Sequence, residues 1–206
     1  MANLIDLLQS QLSDGLIDQL SKQIGAPKQQ TRTAADSILS SLIGGLAKNA
    51  QQPGGADALA NALDNDHDGS LLDNLNDLIG GGGPTANINP RAANGEGILK
   101  HVLGGKKGGI MDMVSQISGL GQGQAGNLMT ILAPIVMGML GKQKRQSGLD
   151  SGGIANILAG ALGTQKQRGG MATSLITSLL DRDGDGSAVD DVAKIGMNIF
   201  SKFFRK

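Results

Sequence analysis

The chain has no cysteine, no tryptophan and no tyrosine, and only three phenylalanines in 206 residues. Each absence excludes something. Without cysteine there are no disulfides and no thiolate metal sites, and the redox compartment stays open. Without aromatics, a core must be filled by Leu, Ile, Val, Ala and Met. Net charge is also missing, since 18 basic residues balance 18 acidic ones. That balance argues against a dedicated nucleic-acid binder, which carries a basic excess. It also removes the repulsion that holds copies apart, so a homo-oligomer or a protein partner is expected. The most apolar run, 128–140, is too short to span a bilayer, so no transmembrane segment is expected. Residues 1–13 read as an amphipathic helix without the basic start and apolar stretch of a secretory signal. The default expectation is a cytoplasmic protein, with export by an unadvertised route left open.

What is abundant is glycine, at 33 residues, with no collagen-like period. Small residues in helices let backbones approach closely, at a cost in helix propensity. Apolar residues recur at helical spacing almost everywhere, and no segment alternates as a strand. In 3–24 the stripe is Leu4, Ile5, Leu8, Leu12, Leu16, Ile17, Leu20 and Ile24, with Gly15 as a break point and Pro27 as the stop. Further helices are expected over 31–48, 55–63, 70–79, 95–104, 108–118, 124–141, 151–162, 169–180 and 187–205. The run Gly80-Gly81-Gly82-Gly83-Pro84 opens a Gly/Pro/Asn-rich stretch, taken as a linker over 81–94. It separates an N-terminal unit, 1–80, from a C-terminal unit, 95–206.

The two units are related. Residues 16–48 align without a gap with 110–142, pairing Gly25 with Gly119, Gln30 with Gln124, Ile38 with Leu132 and Gly44 with Gly138. The expected fold is therefore all-α, a helical bundle or array of two related repeat units that bury apolar faces on each other.

Each unit carries one acidic loop of the form D-x-D-x-D-G-S-x-x-D. The first is Asp64, Asp66, Asp68, Gly69, Ser70 and Asp73; the second is Asp181, Asp183, Asp185, Gly186, Ser187 and Asp190. A hard dication such as Ca2+ takes six to eight oxygens. Carboxylates at positions 1, 3 and 5, a glycine bend at 6 and the carbonyl of residue 7 supply an EF-hand-like half-shell. The bidentate Glu of a standard loop, at position 12, is missing: Leu75 and Val192 stand there. The nearest acids are Asp73 and Asp190 at position 10. A closing acid at position 10 resembles the Excalibur-type calcium loop of extracellular bacterial proteins. Ser70/Asp73 and Ser187/Asp190 also have the spacing of a helix capping box, so these two acids either ligate metal or cap helices. Without the closing Glu, weak sites are expected, on the order of 10⁻⁵ to 10⁻³ M.

Other features read blandly. Gly121, Gly123 and Gly126 spell G-x-G-x-x-G, but a helix precedes them, so they read as a helix–helix turn. His67 and His101 have no partner at useful spacing, no nucleophile–base pair stands out, and no enzyme is expected. Met111, Met113, Met129, Met137 and Met139 read as core filling, or else as an adaptable partner surface. Pro134 should kink its helix. Lys142, Lys144 and Arg145 read as cations for that helix's C-terminal dipole.

The segment Gly97-Ile98-Leu99-Lys100-His101-Val102-Leu103-Gly104-Gly105, the Met- and Gly-rich helical pair after it, and the LLDRDGDGSAVDDV stretch at 179–192 resemble the uncharacterised bacterial YidB-like family, domain of unknown function 937. The resemblance covers most of 95–192, with a weaker echo in 1–80; the linker and the Phe-rich C-terminus lie outside it. It implies an all-α bacterial fold and brings no established activity. The acidic loop occurs in many but not all members. The function expected from these observations is a non-enzymatic calcium-binding structural or self-assembly protein. The alternative is a calcium-responsive adaptor that offers a Met/Gly-rich helical surface to a partner.

Overall fold

The computed structural model describes residues 12–75, 79 and 89–168. The helices expected at the extreme N-terminus, at 169–180 and at 187–205, the second acidic loop and most of the linker lie outside these residues. The elements are α1 (Asp14–Ile24), α2 (Lys28–Ala50), α3 (Gly55–Asn65), a 3-10 turn at Ser70–Asn74, and α4 (Gly95–Leu103). After a short 3-10 turn at Gly104–Lys106 come α5 (Lys107–Ser118), α6 (Gln122–Ser147) and α7 (Ser151–Arg168). No strand occurs among the described residues.

Local chemistry sets the boundaries. Ser13 caps α1 by accepting the Leu16 N–H, so Gly15 falls in the first turn and does not divide the helix. α1 and α5 both stop at a glycine in the left-handed conformation, Gly25 (φ 64°) and Gly119 (φ 76°). The expected helix at 70–79 begins instead as a tight 3-10 turn.

α2 and α6, the two longest helices, form the centre. α2 packs on α1, α4, α5 and α7, and also crosses α6; α6 in turn receives α3, α4 and α5. One apolar cluster runs from Leu12 to Ala161 and includes Ile38, Leu42, Leu99, Leu128 and Leu132. Met113, Met129, Met137 and Met139 are buried in the same fold, as a chain short of aromatics requires. Thr31, Ser37 and Ser41 are buried along α2, and each hydroxyl donates to the carbonyl four residues back. α6 is long and apolar enough by length and composition to cross a membrane, and 67% of that stretch is buried inside the fold.

Three contacts join distant segments. Gln124 accepts the Gly121 N–H and donates to the carbonyls of Ile24 (3.2 Å) and Gly25 (2.9 Å), tying the start of α6 to the end of α1. In the matching place, the Gln30 amide nitrogen lies against Gly119 at the end of α5, where an added Cβ would come within 3.3 Å of it. Pro134 sits inside the continuous α6 and has no N–H for the Thr130 carbonyl. The N-terminus of α4 packs against that oxygen, so closely that a Cβ on Gly95 would overlap it.

Candidate functional site

The first acidic loop leaves α3 and lies against the C-terminal half of α6. Asp64 sits in the last turn of α3, and both its oxygens take the Lys144 ammonium, at 2.6 and 2.8 Å. Asp66 caps α3 and lies 3.8 Å from Arg91. The Asp68 carboxylate accepts the Ser70 N–H at 2.9 Å and faces Arg145 at 3.4 Å, while Arg145 also donates to the Asp68 carbonyl. The side chain and backbone of Ser70 hold the Asp68 carboxyl below its usual range, and Arg145 adds to this. Gly69 makes the bend at φ 94°; a Cβ there would also come within 2.9 Å of the Lys142 side chain. Only glycine meets both demands.

These placements sort the expected ligands. Asp64, Asp66 and Asp68 share one loop, yet each is drawn to a different cation. Among the described residues no three acidic or histidine side chains converge as a metal-holding group. The donor types and the glycine bend suit a hard dication, whereas the carboxylates as placed do not surround one point. Asp73 is exposed in the 3-10 turn. The capping box of Ser70 with Asp73 is not formed: the N-cap residue is Gly69, and no side chain caps it. Asp181, Asp183, Asp185, Ser187 and Asp190 lie outside the described residues. The part that sequence reasoning missed is the basic clasp. Lys144 and Arg145, assigned above to the helix dipole, reach across to the loop, 80 and 77 residues away in sequence.

His67, at position 4 of the loop, is buried at 8% exposure. Its carbonyl packs against Gly141 of α6, where any Cβ would overlap it. Its ring lies in the loop residue next to Asp66, and both residues line a cavity of about 480 Å³ between α2, α3, α4 and α6. His101, Arg91 and Asn94 line the same cavity, with Ile98 and Met137 among its apolar walls.

Burial pushes the His67 imidazole below its ordinary pKa, against the opposing pull of Asp66. A histidine that resists protonation only when folded makes stability fall as pH drops from about 6.5 toward its lower folded value. Asp36, whose carboxyl burial raises, acts with the opposite sign, gaining stability as pH falls through its raised range from the carboxylate side. Melting temperature should therefore decline between pH 7.5 and 5.5. A His67→Gln variant should melt lower at pH 7.5 and lose that slope. An unchanged slope in the variant would assign the decline to other groups.

Fold and loop together define a class: an all-α protein built on two long central helices, with a carboxylate-rich loop braced against one of them. The chain belongs to the DUF937 family, described as bacterial protein of unknown function, whose family model matches residues 6–143. The match begins at residue 6 and stops inside α6, so it lies further toward the N-terminus than the resemblance drawn from motifs at 95–192. No curated protein and no solved structure matches the chain.

Proposed function

We propose that this chain is a non-enzymatic calcium-binding structural or self-assembly protein, in which a cation at each acidic loop fixes the angle between flanking helices. The observation that carries the reading is that all three alternate carboxylates of the first loop are met by cations, two of them from α6. The loop demands neutralisation, and the side chains that supply it hold α3 against α6. Ca2+ would compete with Lys144, Arg145 and Arg91 for the same oxygens. The competition and the missing position-12 Glu both favour a weak site.

The duplicated architecture supports a second loop with the same role. α1 and α5 end on equivalent glycines, α2 and α6 occupy equivalent central places, and Gln30 and Gln124 sit at each other's partner helix end. Zero net charge supports self-association of such units.

The test is a calorimetric Ca2+ titration of chelator-stripped protein, alone and as Asp66→Ala, Asp183→Ala and Lys144→Met/Arg145→Met variants. Two saturable sites are expected, with Kd on the order of 10⁻⁵ to 10⁻³ M. Each Asp variant should lose one site, and the double cation variant should bind more tightly at the first. No heat up to millimolar Ca2+ would reduce both loops to salt-bridged turns. Sub-micromolar affinity would contradict the competition. Light scattering with and without Ca2+ checks assembly, and one monodisperse monomer in both conditions would remove that half of the proposal. A dye for exposed apolar surface that brightens with Ca2+ would favour the adaptor instead.

A further inference from the structure

We infer that the cavity between α2, α3, α4 and α6 is a binding site for a small aliphatic carboxylate, with the chain against Leu46, Ile98, Val102 and Met137 and the head group at Arg91 and Asn94. The volume, about 480 Å³, lies within the range of small-molecule sites. Its walls are mainly aliphatic, and among its polar members Asp66 lies 3.8 Å from Arg91, three residues before Asn94. Among the described residues, no Phe, Tyr or Trp lines it. A flat aromatic ligand would find no stacking partner apart from the imidazoles, whereas a flexible alkyl chain needs only contact with aliphatic walls and an adaptable Met.

The polar end is rich in donors. The Arg91 guanidinium is 82% exposed, and among the described residues Asp66 engages it at 3.8 Å, a separation at which its fork of N–H groups stays available. Asn94 gives its side-chain oxygen to the Gly97 N–H, and its amide N–H groups have no partner among the described residues. His67, 8% exposed, has no side-chain hydrogen bond among the described residues. Asn94 through Gly97 also form the N-terminus of α4, the positive end of a helix dipole. Against these donors stands one acceptor anion, Asp66, whose carboxylate is 28% exposed. An anionic head takes a bidentate hold on Arg91 that Asp66, at its distance, does not make.

The inference does not depend on Ca2+ and is tested in chelator. Full-length protein is titrated with octanoate, decanoate, decanol and decylamine below their micelle concentrations, followed by calorimetry and by amide NMR shifts. Decanoate should bind at one site and about fifteenfold more tightly than octanoate, since each of the two added CH2 groups contributes roughly fourfold. Arg91→Gln should raise the decanoate Kd about tenfold and leave decanol unchanged. Ala58→Phe, placing a large group on the exposed rim of α3, should abolish binding of both. Both sites of substitution are exposed, so the variants should keep the wild-type circular dichroism and melt. Decylamine binding as tightly as decanoate would overturn the head-group assignment. Decanoate binding that ignores Ala58→Phe would place the site elsewhere, and no saturable binding to millimolar decanoate would overturn the inference as a whole.

Discussion

Gly141→Ala should destabilise the protein by about 2–3 kcal/mol, lowering the melting temperature by roughly 4–12 °C, and Gly141→Val should not reach the native state. The sign is the point. Alanine is the better helix former by about 1 kcal/mol, so this exchange in an open helix interior stabilises. At Gly141 the new methyl would overlap the His67 carbonyl oxygen. That obstacle is backbone, held by the turn that follows α3, and it cannot swing aside as a side-chain tip would. Either α6 or the whole acidic loop must move, which also strains the pairs of Lys144 with Asp64 and Arg145 with Asp68. Gly160→Ala in α7 is the control, because none of the described residues lies within 4 Å of its added Cβ. It should gain about 0.5–1 kcal/mol. Thermal melts of the two variants should therefore shift in opposite directions. A gain at Gly141 would mean the loop does not rest on α6 as described.

Leu132→Ala should cost about 2–5 kcal/mol, and its repeat counterpart Ile38→Ala a similar amount. Both side chains are fully buried, one in each central helix. Truncation removes the transfer free energy of the lost carbons and leaves a void that the rigid crossing of α2 and α6 cannot fill. Among the described residues, neither position has an aromatic neighbour that could lean into the space. Urea unfolding read by helical circular dichroism measures the loss, as a lower midpoint at nearly constant slope. A loss under 1 kcal/mol at both positions would mean that the two helices are not the packed centre.

The helices were legible because their signals are local. Apolar period and glycine stops placed the starts of α2 through α7 within three residues, while α6 and α7 run six residues past the expected ends. What was illegible depends on contacts between distant segments. Nothing near 144 in sequence announces that Lys144 and Arg145 will meet Asp64 and Asp68; that follows only once α6 has crossed beside the loop. The burial of His67 was hidden for the same reason, because loop position 4 faces outward only where no helix covers it. Met137 and the Asn94–His101 turns close one cavity with both histidines, although the two are 34 residues apart and share no motif. The cap at Ser70 failed for a local reason instead: the left-handed Gly69 takes the N-cap place one residue early.

The two glutamines at the helix ends have a kinetic consequence. Gln124 completes the end of α1, and Gln30 guards the end of α5, so each half holds a finishing contact of the other. Both termini also close locally, with the Ala26 N–H on Ser21 and the Gly119 N–H on Ser115, yet an early folding species containing only residues 14–50 would leave the carbonyls of Ile24 and Gly25 without the Gln124 donor. The end of α1 therefore gains its last contact only when α6 docks on it, so the end of α1 and the start of α6 are expected to become native together.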